Sequence, residues 1–239
     1  MTLRTLPVLS LLVACGGTGD WTATTWGEEY IEEGIPAEEF EDGCSATFST
    51  FEVEVTEAVL LDGNGDVAAD AGPGRYDVTD PGPQTMGTAA AKATFYDSAR
   101  FVIAPASGDA VHAIGEVTCG GETKSFDWSF DTSTTYLCEP EDLTLAAGGS
   151  ATTELTVHGD HFFYDGLEED AVVRGQAIVD ADADSDGEVT LAELGAIDIA
   201  SLGYNVGPYS DVATLADFVT FLTRTLGHVD GEGHCQVDL

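Results

Sequence analysis

The sequence predicts an α+β fold, mainly an antiparallel β-sandwich with a helical C-terminal segment packed on it. Between residues 45 and 158, short runs rich in β-branched and aromatic residues alternate with clusters of Gly, Pro, Asp and Asn, which is typical of antiparallel strands joined by turns. From Leu167 onward, apolar residues recur at helical spacing. A hydrophobic content of 43% over 239 residues is enough for one such domain with its own core.

Residues 1–14 predict a signal peptide. They carry one positive charge, Arg4, followed by an apolar stretch that is too short to span a bilayer. The four residues Leu12–Cys15 resemble the lipobox of bacterial lipoproteins, in which cleavage leaves a lipid-modified cysteine at the new N-terminus. The resemblance implies an exported protein that Cys15 anchors to a bacterial membrane. Gly16, in the position after the cysteine, implies the outer membrane. An ordinary secretory signal is the alternative.

Residues 15–45 are predicted to be a tether and lead-in to the folded region. They combine small residues, acidic residues and two tryptophans. Within them, Thr18–Thr25 is expected to be the tether, and Glu28–Pro36 a short ordered helix or strand. Residues 46–165 then form the predicted sandwich.

The predicted sandwich begins with a strand whose residues alternate between apolar and polar from Phe51 to Val59. The acidic turn Asp62–Asp66 follows it, and its position between apolar runs favours a hairpin. Further strands are predicted at Phe95–Ile103, Val111–Thr118, Lys124–Phe130 and Thr152–Val157.

Three of these segments carry a family resemblance. They are Phe48–Phe51, the strand Phe95–Ile103, and Leu155–His158 with the aromatic pair that follows it. Together they resemble the MbnP-like proteins, over about residues 45–165. That resemblance implies an exported bacterial β-sandwich associated with copper binding.

The stretch Asp182–Glu193 matches every position of the EF-hand calcium loop. Calcium binds six to eight oxygen atoms, and Gly187 allows the sharp turn that brings them together. The predicted ligands are the carboxylates of Asp182, Asp184, Asp186 and Glu193, the carbonyl oxygen of Glu188, and Thr190 directly or through a water. The alternative is an acidic turn in a very acidic protein.

Residues 166–239 are therefore predicted to be a helical segment of EF-hand type. Glu169–Val179 is the expected entering helix, and the capping box Thr190–Glu193 is expected to start the exiting helix. A second capping box, Thr214–Asp217, predicts a later helix that ends at Gly227. No second complete loop occurs in the sequence, so the calcium ion is expected to have a mainly structural role.

Four cysteines remain after removal of the leader: Cys44, Cys119, Cys138 and Cys235. An even number in an exported protein predicts two disulfides, and the sequence alone allows three pairings. Cys119 and Cys138 flank a predicted strand hairpin, which favours their pairing. Cys44 would then pair with Cys235 and join the two ends of the folded region.

The charge of the chain excludes one class of partner. Seven Lys and Arg residues against 44 Asp and Glu residues give a net charge of -37. A nucleic-acid partner is therefore not expected, because phosphates require a basic surface. The expected membrane contact is made through the lipid anchor alone, and the sequence specifies no protein or small-ligand partner.

Four of the five histidines fall into two short groups, His158 with His161 and His228 with His234. Neutral imidazole binds copper, zinc and nickel. The four histidines would form a transition-metal site if the last part of the chain returns to the first group, with Asp160 or Asp230 nearby. The alternative is a pair of polar loops with hydrogen-bonded histidines.

These patterns leave three functions open. The favoured one is a lipid-anchored, exported calcium-binding protein in which calcium is mainly structural. The second is a transition-metal binding protein that uses the histidine groups for copper or zinc. The third is a metal-dependent hydrolase. The chain contains no G-x-S-x-G, H-E-x-x-H or P-loop motif, so catalytic residues are not predicted.

Overall fold

Two β-sheets form the sandwich in the computed structural model, which describes residues 16–168 and 170–237. The smaller sheet contains β1 (Thr18–Gly27), β5 (Gln84–Lys92), β10 (Ser150–Val157) and β11 (Gly227–Val229). The larger sheet contains β2 (Ser45–Leu61), β3 (Val67–Asp70), β4 (Gly74–Asp77), β6 (Ser98–Ile103), β7 (Val111–Cys119), β8 (Glu122–Phe130), β9 (Thr134–Cys138) and β12 (Cys235–Val237). The predicted α+β fold, mainly an antiparallel β-sandwich, is confirmed.

The strand order shows that the C-terminal segment contributes to both sheets. The smaller sheet has the order β11-β10-β1-β5, and the larger one β12-β9-β6-β2-β7-β8, with β3 and β4 also pairing with β2. β11 and β12 come from the C-terminal segment, which therefore adds one strand to each sheet. The predicted hairpin at Asp62–Asp66 is confirmed, since it joins β2 to β3.

Strand β1 contradicts the predicted tether. Thr18–Thr25 lies in the middle of the smaller sheet, where β1 pairs in parallel with β10 and antiparallel with β5. The side chain of Trp21 is fully buried, and its Nε1 donates a hydrogen bond of 3.1 Å to Thr153 Oγ1. The segment is rich in Thr and contains Trp21, and both residue types are frequent in strands. The boundary between a tether at 15–45 and a sandwich from 46 was therefore wrong.

The two disulfides join different cysteines from those favoured by the sequence. Cys44 pairs with Cys119 and Cys138 with Cys235. Cys119 and Cys138 do flank β8, but β9 leaves β8 and pairs with β6 on the far side of β2. β8 and β9 follow each other in the chain but do not pair, so the predicted pairing of Cys119 with Cys138 was wrong.

The helices are short. They are α1 (Glu29–Glu32), a 3₁₀-helix (Asp160–Phe163), α2 (Gln176–Val179), α3 (Leu191–Leu194), α4 (Ile199–Leu202) and α5 (Leu215–Leu222). Both predicted capping boxes are confirmed, at the start of α3 and of α5. Helix α5 ends earlier than expected, because the hydroxyl groups of Thr223 and Thr225 donate to carbonyl oxygens of its last turn. Gly227 then begins β11.

The entering helix predicted at Glu169–Val179 is reduced to the single turn α2. Val173 forms β-bridges with Phe40 and Tyr164, so the backbone before α2 is extended. The Asp42 carboxylate accepts the N–H groups of Gly175 and Gln176 and thereby starts the helix. Glu169 itself lies outside the described residues.

A continuous hydrophobic core joins the sandwich to the C-terminal segment. The fully buried side chains of Trp128 and Phe101 in the larger sheet belong to the same cluster as Phe218 of α5 and Val189 of the loop Asp182–Glu193. This packing confirms that the helical segment shares the sandwich core. Among the described residues, no helix combines the length and apolar character needed to cross a membrane.

Candidate metal centres

Strand pairing brings the two histidine groups together. His158 directly follows β10, and His228 lies in β11, which pairs with β10 so that Thr156 is opposite His228. The N–H of His158 donates to the Leu226 carbonyl oxygen, which extends this pairing by one residue. The 3₁₀-helix that follows then turns His161 back toward the other two side chains.

Three imidazole rings converge in a part-buried position. The ring centroids of His158 and His228 are 4.4 Å apart, and His161 lies 5.4 Å from each of them. His158 and His161 are buried, and His228 is half-buried. We call these three residues, with the carboxylates around them, the histidine centre.

Three carboxylates surround these rings. Ligand atoms of His158, Asp160 and His161 lie within 4.8 Å of one another, as do those of His158, His228 and Glu232. Glu28, which follows β1, places its Oε2 atom 3.4 Å from His158 Nδ1. The histidine centre is therefore a set of three imidazoles and three carboxylates, the kinds of ligand that copper and zinc accept.

Several atoms of the histidine centre are buried without a hydrogen-bond partner in the protein. They are Glu28 Oε1, Asp160 Oδ1 and His228 Nδ1. A buried polar group without a partner costs about 1–3 kcal/mol, so such atoms are rare in folded proteins. Glu28 and Asp160 also interact with each other, so their free oxygen atoms are open to a proton or a cation.

Hydrogen bonds fix which nitrogen of His161 can bind a metal. The Thr225 hydroxyl donates its proton to the Leu222 carbonyl oxygen at 2.9 Å. It must therefore accept from His161 Nδ1, which lies 2.9 Å from it, so Nδ1 carries the proton and Nε2 has a free lone pair. Metal-binding histidines are typically oriented by a hydrogen bond that the other ring N–H donates, and His161 makes such a bond.

His158 is oriented by a similar contact. Its Nε2 atom lies 3.4 Å from the Gly231 carbonyl oxygen, which can only accept a hydrogen bond. The Nδ1 lone pair then faces the Glu28 carboxylate at 3.4 Å. Two electron-rich atoms in this arrangement require a proton or a metal ion between them.

Burial sets the protonation states around these rings. It lowers the pKa of His161 well below the usual value, with further lowering by the charges of His158 and His228. Burial also lowers the pKa of His228, again with a contribution from His158. Burial and the neighbouring Asp160 carboxylate raise the pKa of Glu28 to about 8. His161 and His228 are thus held in the neutral form that binds metals.

A cleft gives access to the histidine centre from solvent. Its volume is about 300 Å³, and the residues that line it include Glu28, His158 and Glu232 together with Trp26 and Tyr30. An ion can reach these ligands through this opening.

The structure brings three of the four predicted histidines together. His234 is exposed, and among the described residues the groups of ligand atoms within 4.8 Å of one another include none from it. Asp230 accepts the N–H of Glu154 instead of facing the rings. Glu28 was not predicted to be near the histidines, because residues 15–45 were expected to lie outside the sandwich.

The second candidate centre is the loop Asp182–Glu193. Ligand atoms of Asp182, Asp184 and Glu193 lie within 4.8 Å of one another. Gly187 has a positive φ of 92°, as the sharp turn requires. Asp186 stays outside this group, and its Oδ1 atom accepts the N–H of Glu188 at 2.9 Å.

Two loop carboxylates have distinct surroundings. Glu193 accepts from the N–H and hydroxyl of Thr190 and from the N–H of Ala183, so it joins both ends of the loop. These hydrogen bonds, led by the one from the Thr190 backbone, lower its pKa. A hydrogen bond from Lys124 lowers the pKa of Asp182. The Oδ1 atom of Asp182 is buried without a partner.

The loop is attached to the edge of the larger sheet instead of to a second loop. The N–H of Ser125 in β8 donates to the Gly187 carbonyl oxygen at 2.9 Å. The N–H of Val189 donates in turn to the Ser125 carbonyl oxygen at 2.8 Å. Trp128 Nε1 donates to the Val189 carbonyl oxygen at 2.8 Å. Val189 is fully buried, so the loop is anchored to the core.

Comparison of the chain with protein-family models, with curated proteins and with solved structures finds no match. Cys15 and the leader lie outside the described residues. The resemblances to bacterial lipoproteins, EF-hands and MbnP-like proteins therefore stay predictions. The function has to be argued from the geometry of the two centres.

Proposed function

We propose that the protein binds a transition-metal ion, Cu(II) or Zn(II), at the histidine centre. The observation that carries this proposal is the convergence of His158, His161 and His228 from segments that are distant in the sequence. The chain has only five histidines, so the meeting of three imidazoles beside carboxylate oxygens that lack a partner supports a common ligand. The protein is a binding protein in this proposal, and the metal-dependent hydrolase stays a prediction of the sequence.

The ligand types favour these two ions. Imidazole nitrogen suits copper, zinc and nickel, and affinity for such ligands generally increases from nickel to copper. Carboxylates complete the set. Among the described residues, the convergent groups include no cysteine, and Cys44, Cys119, Cys138 and Cys235 are all in disulfides, which argues against Cu(I). His161 would bind through Nε2, and the backbone contact of His158 leaves Nδ1 for the metal.

The proposal is tested by metal titration of chelator-treated protein. We expect one Cu(II) or Zn(II) ion to bind per chain. His161→Ala and His228→Ala should each lower the affinity at least about tenfold, the usual cost of disturbing a metal ligand or its support. His234→Ala is the matched control and should leave the affinity unchanged. Equal affinities in the wild type, His161→Ala and His228→Ala would exclude the histidine centre.

A second proposal concerns calcium at the loop Asp182–Glu193. The observation that favours it is the buried Asp182 Oδ1 atom, which has no partner, on a residue whose carboxylate belongs to the convergent group. Calcium there would be structural, because the loop is fixed to β8 by its own backbone. The two disulfides support an oxidising compartment, and extracellular sites of this type work at dissociation constants of ~10⁻⁴–10⁻³ M.

Thermal unfolding tests the calcium proposal. At a dissociation constant of about 1 mM, 10 mM calcium stabilises the folded state by about 1.4 kcal/mol, which raises the melting temperature by about 3–6 °C. The double variant Asp182→Asn, Glu193→Gln should lose this rise. The double variant Asp62→Asn, Asp66→Asn, in the similar acidic turn after β2, removes the same two charges and should keep the rise. A wild-type protein whose melting temperature does not respond to calcium contradicts the proposal.

A further inference from the structure

Lys124 contacts the first ligand of the calcium loop. Its Nζ atom lies 2.7 Å from Asp182 Oδ2 and 2.7 Å from Glu122 Oε1. The chain has only two lysines, Lys92 and Lys124, among 44 acidic residues. One of the two lysine ammonium groups is therefore paired with Asp182, the first calcium ligand of the loop.

The two oxygens of Asp182 have different roles. Oδ2 accepts from Lys124 and, at 3.1 Å, from the N–H of Gly187. Oδ1 is buried and has no partner. A calcium ion on Oδ1 would thus share one carboxylate with the ammonium group, and the two cations would lie on neighbouring atoms.

The fold holds this positive charge in place. Lys124 belongs to β8, and the next residue, Ser125, forms the β-bridge to Glu188 of the loop. The side chain of Lys124 is only 11% exposed and that of Asp182 only 1%. Among the ion pairs formed by the described residues, this is the one that involves a loop carboxylate. The ammonium group cannot move far from the loop without leaving both of its partners.

We propose that Lys124 sets the calcium affinity of this loop. Its charge neutralises part of the repulsion among the loop carboxylates, so the loop keeps its shape without an ion. The same charge repels an incoming divalent cation and lowers its affinity. The ion class is calcium, and the result is a weak site that fills only where calcium is abundant. This inference rests on the calcium proposal above.

Calcium titration of four proteins in low salt tests the role of Lys124: the wild type, Lys124→Gln, Lys124→Arg and Lys92→Gln. Removing a fixed positive charge next to the ion should raise the affinity of Lys124→Gln for calcium about threefold to tenfold, and the gain should shrink at about 0.5 M KCl. Lys124→Arg keeps the charge and should bind like the wild type. Lys92→Gln removes the same charge from β5 and should also bind like the wild type.

The possible results distinguish a failure of the role of Lys124 from a failure of the calcium proposal. Unchanged or weaker binding by Lys124→Gln, with calcium binding intact in the wild type, overturns the role of Lys124 and leaves the calcium proposal standing. No calcium binding by any of the four proteins overturns both proposals. If Lys124→Gln does not fold, Lys124→Met keeps the apolar stem of the side chain and is titrated instead, with the same expected gain.

Discussion

Glu28 and Asp160 are two carboxyl groups held against the same imidazole, and each has an oxygen without a partner. Such a pair needs a proton or a cation, which is why Glu28 is a central residue of the histidine centre. The sequence predicted His158, His161 and His228 from their short spacings. It did not predict Glu28, because nothing near Glu28 in the chain shows that β1 pairs with β10.

The pH dependence of stability reports on Glu28 in the metal-free protein. Burial and Asp160 raise its pKa from 4.5 to about 8, so the folded state keeps a proton that the unfolded chain releases. The free energy of unfolding should therefore fall as the pH rises from about 4.5 to about 8. Glu28→Gln cannot ionise and should lose less stability between pH 5 and pH 8 than the wild type does.

Urea unfolding of chelator-treated protein at both pH values measures this difference. Glu29→Gln is the matched control, because it changes the adjacent, exposed carboxyl group. It should show the pH dependence of the wild type. An identical loss of stability in the wild type and Glu28→Gln would contradict the assigned protonation of Glu28.

At the scale of elements, the features that the sequence did not predict are mostly long-range strand pairings. Local patterns predicted β6, β7, β8 and β10, the turn after β2 and both capping boxes, because alternation and capping depend on neighbours in the chain. The long-range partners were not predictable in this way. The parallel pairing of β1 with β10 and the departure of β9 from β8 to β6 are decided by the packing of the two sheets.

The disulfide Cys138–Cys235 lies close in the chain to two residues of the histidine centre, His228 and Glu232. It joins β9 to β12, and the segment from His228 to Glu232 lies just before Cys235. Replacing both cysteines by serine should cost about 2–5 kcal/mol of stability. It should also weaken transition-metal binding, because β11 and the following turn lose a fixed end.

The other disulfide provides the control for this prediction. Cys44–Cys119 joins the residue before β2 to the end of β7, and neither strand carries one of the three histidines. The double serine variant at this pair should lose stability but keep the metal affinity of the wild type. Equal losses of metal affinity in the two double variants would show that the effect is a general loosening of the fold.

At the scale of the whole molecule, one core supports both candidate centres. Trp128 Nε1 donates to the Val189 carbonyl oxygen in the loop Asp182–Glu193, and its ring makes an edge contact with Phe162, at 6.1 Å between ring centroids. Phe162 is the neighbour of His161 in the 3₁₀-helix. Hydrophobic content and periodicity predicted this sandwich with a packed C-terminal segment. They could not show that the segment completes both sheets.

The most direct test of the account is X-ray absorption spectroscopy of the chelator-treated protein after one equivalent of Cu(II) is added. We expect scattering from three imidazole rings with carboxylate oxygen in the remaining positions, and two rings in His228→Ala. A spectrum with oxygen ligands alone, or one that is the same in the wild type, His161→Ala and His228→Ala, would contradict the histidine centre.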